Sequence, residues 1–72
     1  MQMVIETEQE EDGRWIGEVP DLPGVLAYGE TRQEAVAHVQ ALALRVMADR
    51  LEHGEALSQI AELLPQMFSL AA

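Results

Sequence analysis

Between Glu18 and Val25 the sequence places two prolines and a glycine within five residues, Pro20-Asp21-Leu22-Pro23-Gly24. Neither proline can donate a backbone hydrogen bond to a ladder, and glycine takes positive φ without strain, so the chain must turn or make a bulged crossing here. The flanking segments are therefore separate elements. Before the break, Arg14 to Val19 alternates, with Trp15, Gly17 and Val19 on one side and Arg14, Ile16 and Glu18 on the other. Both faces of that strand carry something apolar. After the break, Val25 to Tyr28 reads as a short third strand ended by Gly29. Upstream, Met1 to Thr7 alternates, with Met1, Met3 and Ile5 on one side, and leads into the polar run Glu8 to Gly13. That pattern predicts a strand and a hairpin loop.

Thr31-Arg32-Gln33-Glu34 has the form of a capping box, in which the Thr31 hydroxyl accepts from the Glu34 amide and the Glu34 carboxylate reaches back to the N-cap amide. Apolar residues at Val36, Val39, Leu42, Ala43, Val46, Met47 and Leu51 follow at threes and fours, and Gly54 stands where a left-handed residue closes a last turn. The spacing predicts one long helix over 32 to 53. Ala37, Ala41, Leu44 and Ala48 widen its apolar arc along one flank, a candidate oligomer interface, while His38, Arg45, Asp49 and Glu52 form the wet face. Glu55 to Leu64 has helical spacing but is open to a loop reading; Pro65 is expected to end it, and a final strand is expected near Met67 to Leu70. The resulting fold class is α+β: a three-stranded antiparallel sheet plus a C-terminal strand, with the long helix on one face, in the order β-β-β-α-β and as a single domain over residues 1 to 72.

A chain of 72 residues buries only about 60% of its unfolded surface, so its core needs support from a disulfide, a metal or a second subunit. With no cysteine, disulfides and thiolate metal sites are excluded, and the composition fits a reducing cytosol. Association is the remaining support, as a dimer or a tetramer. No signal-peptide pattern or membrane-length apolar run is present, so a cytoplasmic protein without membrane contact is expected. The formal charge of -9, with thirteen acidic side chains against four basic ones, repels phosphate backbones and attracts basic partners. Direct nucleic-acid binding is thus not expected. At 49% apolar and with clear periodicity, the chain should fold rather than stay disordered.

Catalysis requires converging reactive groups, and His38, His53, Tyr28, two serines and the carboxylates form no such constellation in the sequence. His53 reads as a helix C-terminal residue placed favourably in the helix dipole. The carboxylates Glu6, Glu8, Glu10, Glu11 and Asp12 read as a solvated turn rather than as a Mg²⁺ site, and the methionines as core fillers. Trp15 reads first as a core anchor and second as a hot spot under a partner. A protein that binds another protein, without enzymatic activity or cofactor, is the expectation.

From Glu11 to Ala35 the run EDGRWIGEVPDLPGVLAYGETRQEA closely resembles the HicB antitoxin family, including its short stand-alone members. The resemblance rests on Glu11-Asp12-Gly13 ahead of Trp15, on Glu18-Val19-Pro20-Asp21-Leu22-Pro23-Gly24, and on Gly29-Glu30-Thr31 opening a helix with Glu34-Ala35. It covers roughly residues 1 to 54 and fades in the tail. It implies a truncated ribonuclease H-like sheet without catalytic carboxylates, and a role in binding and masking a small basic HicA-type ribonuclease toxin. Longer members add a C-terminal DNA-binding domain, for which this sequence is expected to have no room. The partner contact would fall on Trp15, Pro20, Asp21, Leu22, Pro23 and Gly24. Two other readings stand beside this one: a stand-alone homo-oligomeric regulatory or structural protein, and a divalent-metal nuclease built on sheet acids.

Overall fold

The computed structural model describes residues 2–55 and 58–71. Three strands, β1 (Glu6–Gln9), β2 (Trp15–Glu18) and β3 (Leu26–Gly29), are followed by two helices, α1 (Arg32–Glu52) and α2 (Ser58–Met67). The strands are antiparallel in the order β1-β2-β3, with Thr7 opposite Gly17 and Gly17 opposite Ala27. The chain is α+β, and α1 lies along one face of the sheet.

The loop chemistry fixes the register. The Glu10 amide donates to the Arg14 carbonyl at 2.7 Å, the Gly13 amide donates to the Glu10 carbonyl at 3.0 Å, and Gly13 has φ of 94°. This is a three-residue hairpin loop, Glu11-Asp12-Gly13, closed by a glycine in the left-handed region. The ladder therefore runs to Gln9, two residues beyond the expected strand end. Its start also differs from expectation: Met3 and Ile5 pack against the core without belonging to the ladder, and Met1 lies outside the described residues.

The proline segment is a pair of consecutive β-turns. The Leu22 amide donates to the Val19 carbonyl at 2.9 Å, and the Val25 amide donates to the Leu22 carbonyl at 3.0 Å. Pro20 and Pro23 each occupy the second position of their turn, where a fixed φ is favourable, and Gly24 supplies the positive φ, 86°, of a type II turn. Val19 and Val25 close the base with a further 3.0 Å hydrogen bond. Leu22, at the junction, is fully buried with Val19, Val25, Val39 and Ala43. Burying such a side chain stabilises the fold by about 1.5–3 kcal/mol.

Helix and sheet meet through small residues. Ala35, Val39 and Ala43, spaced by four, are the buried positions of α1. A Cβ on Gly17 would lie 3.1 Å from the Ala35 carbonyl oxygen, and one on Gly29 would lie 2.9 Å from the Glu34 carbonyl carbon and 3.0 Å from the Ala35 Cα. The two glycines thus form a notch in the sheet into which the first turns of α1 settle.

Both ends of α1 follow the sequence. The Thr31 hydroxyl accepts from the Glu34 amide at 3.0 Å, while the Glu34 carboxylate accepts from the Glu30 amide at 3.3 Å, one residue before the expected N-cap amide. At the other end the Gly54 amide reaches the Leu51 carbonyl, the Glu55 amide reaches the Arg50 carbonyl, and Gly54 takes φ of 70°, which is a Schellman closure. The helix ends at Glu52, with His53 as C-cap, one residue short of expectation.

The tail departs from the sequence reading. Residues from Ser58 form a helix that continues through Pro65 to Met67, and among the described residues no strand follows α1. Pro65 sits in the last turn of α2, where it forfeits a single hydrogen bond, to the exposed Ala61; just past the helix end the Phe68 amide still donates to the Leu64 carbonyl at 2.9 Å. The expected strand at Met67 to Leu70 is exposed, and among the described residues the sheet consists of β1, β2 and β3 without it. The segment Glu55 to Leu64, open to either a helix or a loop from its sequence, is helical from Ser58 onward among the described residues, and Ala56 and Leu57 lie outside them.

Shape follows from the lengths. Four-residue strands span about 13 Å, whereas the 21 residues of α1 span about 31 Å. Past Ala43 no residue of α1 is fully buried: Val46 and Met47 pack against the core only partly buried, and beyond them the helix outruns the sheet. Its second half and α2 form an arm, and the molecule measures 53 × 19 × 16 Å with a radius of gyration of 14.2 Å, against about 11 Å for a compact chain of this length.

Candidate protein-binding surface

The glycine notch identifies the face of the sheet beneath α1. By alternation, Thr7, Trp15, Gly17, Ala27 and Gly29 belong to that face, while Glu6, Glu8, Ile16, Glu18, Leu26 and Tyr28 point away from it. Among the described residues no element covers this outer face. It carries a row of partly open apolar side chains, Ile16, Leu26 and Tyr28.

Around that row the charge is acidic. Glu6 is directly opposite Glu18, and Glu18 is directly opposite Leu26. Like charges in directly opposed positions destabilise a sheet. Glu8 and Glu10 continue the acidic side toward the hairpin, where a shallow groove is lined by Glu6, Glu8, Glu10, Ile16 and Glu18. The cation on this face, Arg14, is already engaged: its Nε donates to Asp12 at 2.8 Å, and its guanidinium stands 4.8 Å from the centre of the Tyr28 ring. The Arg14 backbone amide, at 3.0 Å, and then the guanidinium hold the Asp12 carboxyl below its ordinary range. Arg14 is therefore spent on Asp12 and the Tyr28 ring, and among the described residues no cation pairs with Glu6 or Glu18.

The residues expected at a partner interface do not form one patch. Trp15 opens β2 and faces α1, half-buried, whereas the double turn lies beyond the other end of the same strand, on the order of 17 Å along the chain. Leu22 is a core residue and cannot touch a partner without unfolding the turn; Pro20, Asp21, Pro23 and Gly24 are exposed. Ala37, Ala41, Leu44 and Ala48 do share one exposed flank of α1. The outer sheet face itself was signalled by the apolar Ile16 among the polar positions of β2.

The two histidines are engaged by the backbone. His38 brings Nδ1 to 2.8 Å from the Tyr28 carbonyl oxygen on the free edge of β3, and His53 brings Nδ1 to 2.7 Å from the Asp49 carbonyl oxygen at the end of α1. Among the described residues no three His, Asp or Glu side chains are grouped to hold a metal ion, and no helix is long and apolar enough to cross a membrane. No family model, curated protein or solved structure matches the chain.

Proposed function

We propose that this chain is a HicB-like antitoxin or a close functional equivalent: a non-catalytic cytoplasmic protein that covers a small basic HicA-type ribonuclease with the outer face of a truncated ribonuclease H-like sheet. The observation that carries the reading is the directly opposed Glu6–Glu18 pair beside Leu26, open to solvent and, among the described residues, without a cation of its own. An uncompensated local conflict on an otherwise consistent fold marks a surface built for something else. A lysine or arginine of a basic partner inserted between the two carboxylates turns that repulsion into attraction, while Ile16, Leu26 and Tyr28 supply the apolar contact. The resemblance over Glu11 to Ala35 names the kind of partner, and the acidic charge of -9 agrees with it.

The test is titration of the chain into a basic HicA-like ribonuclease, with complex formation and RNA cleavage followed together. The reading expects a complex that suppresses cleavage, that weakens with added salt, and that is weakened further by Glu6→Gln with Glu18→Gln. Undiminished cleavage at saturating protein rejects the antitoxin role; binding unaffected by the double substitution rejects the outer face as its site. A second reading, self-association without a toxin, is favoured by the apolar arm and is compatible with the first.

A further inference from the structure

We propose that two copies of this chain pair through the arm formed by the second half of α1, α2 and residues 68–70, leaving the two acidic sheets at opposite ends of the dimer. The arm exposes large apolar side chains at a density the rest of the molecule does not: Leu44 is 61% exposed, Leu51 47%, Met67 59%, Phe68 67%, and Leu70 is entirely open. They are contiguous. Leu44, Leu51 and Met67 border one groove between α1 and α2, and Leu51, Phe68 and Leu70 border the next, with Leu64 common to both. Together they amount to a little over three fully open side chains, which at on the order of 150–250 Å² each is roughly 600 Å². That is the upper end of what a monomer exposes. Two such patches facing each other bury about 1,200 Å², the lower end of a stable, specific interface.

Charge selects the occupant. The first thirty residues hold eight acidic side chains against Arg14, whereas Leu44 to Ala71 holds four against Arg45 and Arg50. A basic partner is drawn to the sheet and not to the arm. A second copy meets little repulsion at the arm and strong repulsion anywhere near the sheet, so the pairing that keeps the sheets apart is the favourable one, and a two-fold axis makes the patch self-complementary. A lipid surface is disfavoured, since over Leu44 to Ala71 the four acidic side chains outnumber Arg45 and Arg50, and a net negative arm is repelled by anionic headgroups. Pairing also gives the chain the core its size denies it.

The experiment is sedimentation equilibrium of the full chain over a wide concentration range, for the wild type, for Phe68→Glu with Leu70→Glu, and for Glu6→Gln with Glu18→Gln. The altered arm residues are exposed, so circular dichroism should show an unchanged fold. The expected result is a wild-type dimer, a dissociation constant raised about 100-fold or more by the arm substitutions, as when one or two hot-spot side chains are lost, and no weakening by the sheet substitutions. A wild-type monomer at millimolar concentration overturns the proposal. So does a dimer that survives the arm substitutions, or a chain that stays monomeric and sediments with anionic phospholipid vesicles. A failed toxin titration leaves these outcomes unaffected, and a monomer here leaves the sheet-face reading standing.

Discussion

Replacing Gly29 with alanine adds one methyl group at the tightest point of the helix–sheet contact. The Cβ would overlap the Ala35 amide nitrogen and lie within 3.0 Å of two further main-chain atoms of Glu34 and Ala35. No side chain can swing aside to make room, so α1 must lift off the notch and loosen Ala35 and Val39, both fully buried. Overpacking of this kind costs about 1–3 kcal/mol, and with backbone on both sides we expect the upper end, about 3 kcal/mol. A domain of this length has about 4–11 kcal/mol in all. The loss corresponds to a fall in Tm of about 12–24 °C. Urea unfolding followed by far-ultraviolet circular dichroism and by Trp15 fluorescence measures it. The sign is informative, because Gly29 lacks the positive φ of Gly13, Gly24 and Gly54, and an alanine without the clash would stabilise by about 0.4–1 kcal/mol. Gly24→Ala is the control: its Cβ meets nothing within 4 Å, so it carries only the left-handed penalty of about 1–2 kcal/mol. A Gly29→Ala protein as stable as the wild type, or less impaired than Gly24→Ala, would refute the notch.

Leu22→Ala should destabilise by about 2–5 kcal/mol, and equilibrium unfolding checks whether this turn residue behaves as core. Glu18→Gln should stabilise the free chain by about 0.2–1 kcal/mol by removing the cross-strand repulsion while weakening the complex with a basic partner; melting and titration of the same sample read both effects. The Asp12 carboxyl has a folded pKa below its ordinary value of 3.8. Its stabilising contribution is therefore complete above that ordinary value and disappears as pH falls through the depressed one. The stability difference between wild type and Asp12→Asn should narrow over that acidic range, as pH-dependent urea unfolding would show. Thr31→Ala should cost about 1 kcal/mol by leaving the Glu34 amide without its cap.

Local chemistry was legible where it decides structure alone. The capping threonine and the glycine after His53 bound α1 to within a residue, and Pro20, Pro23 and Gly24 announced a turn. What misled was chemistry that depends on a partner element. Alternation at Met3 and Ile5 identifies core-facing positions, yet ladder hydrogen bonds form only where β2 supplies a facing strand, which the hairpin loop sets at Glu6–Gln9. In the tail, Pro65 reads as a stop, but in a last turn it removes one hydrogen bond and the helix continues over it. The motif segment also looked like a contact surface, and its central leucine proved to be core. Conversely, a single apolar residue, Ile16, was the sequence's sign of an uncovered sheet face, whose meaning depends on Leu26 and Tyr28 lying beside it.

The double turn around Leu22 bears on how fast and how selectively anything docks against its exposed rim. Its two prolines restrict the unfolded loop, and the buried leucine pins its midpoint, so the conformational freedom a mobile loop would lose on complexation is already gone in the free protein. A ligand meeting Pro20, Asp21, Pro23 and Gly24 therefore encounters a rigid template. Association there should proceed in one step, without a slow rearrangement phase, and an ill-fitting surface should be rejected because the loop cannot yield to it.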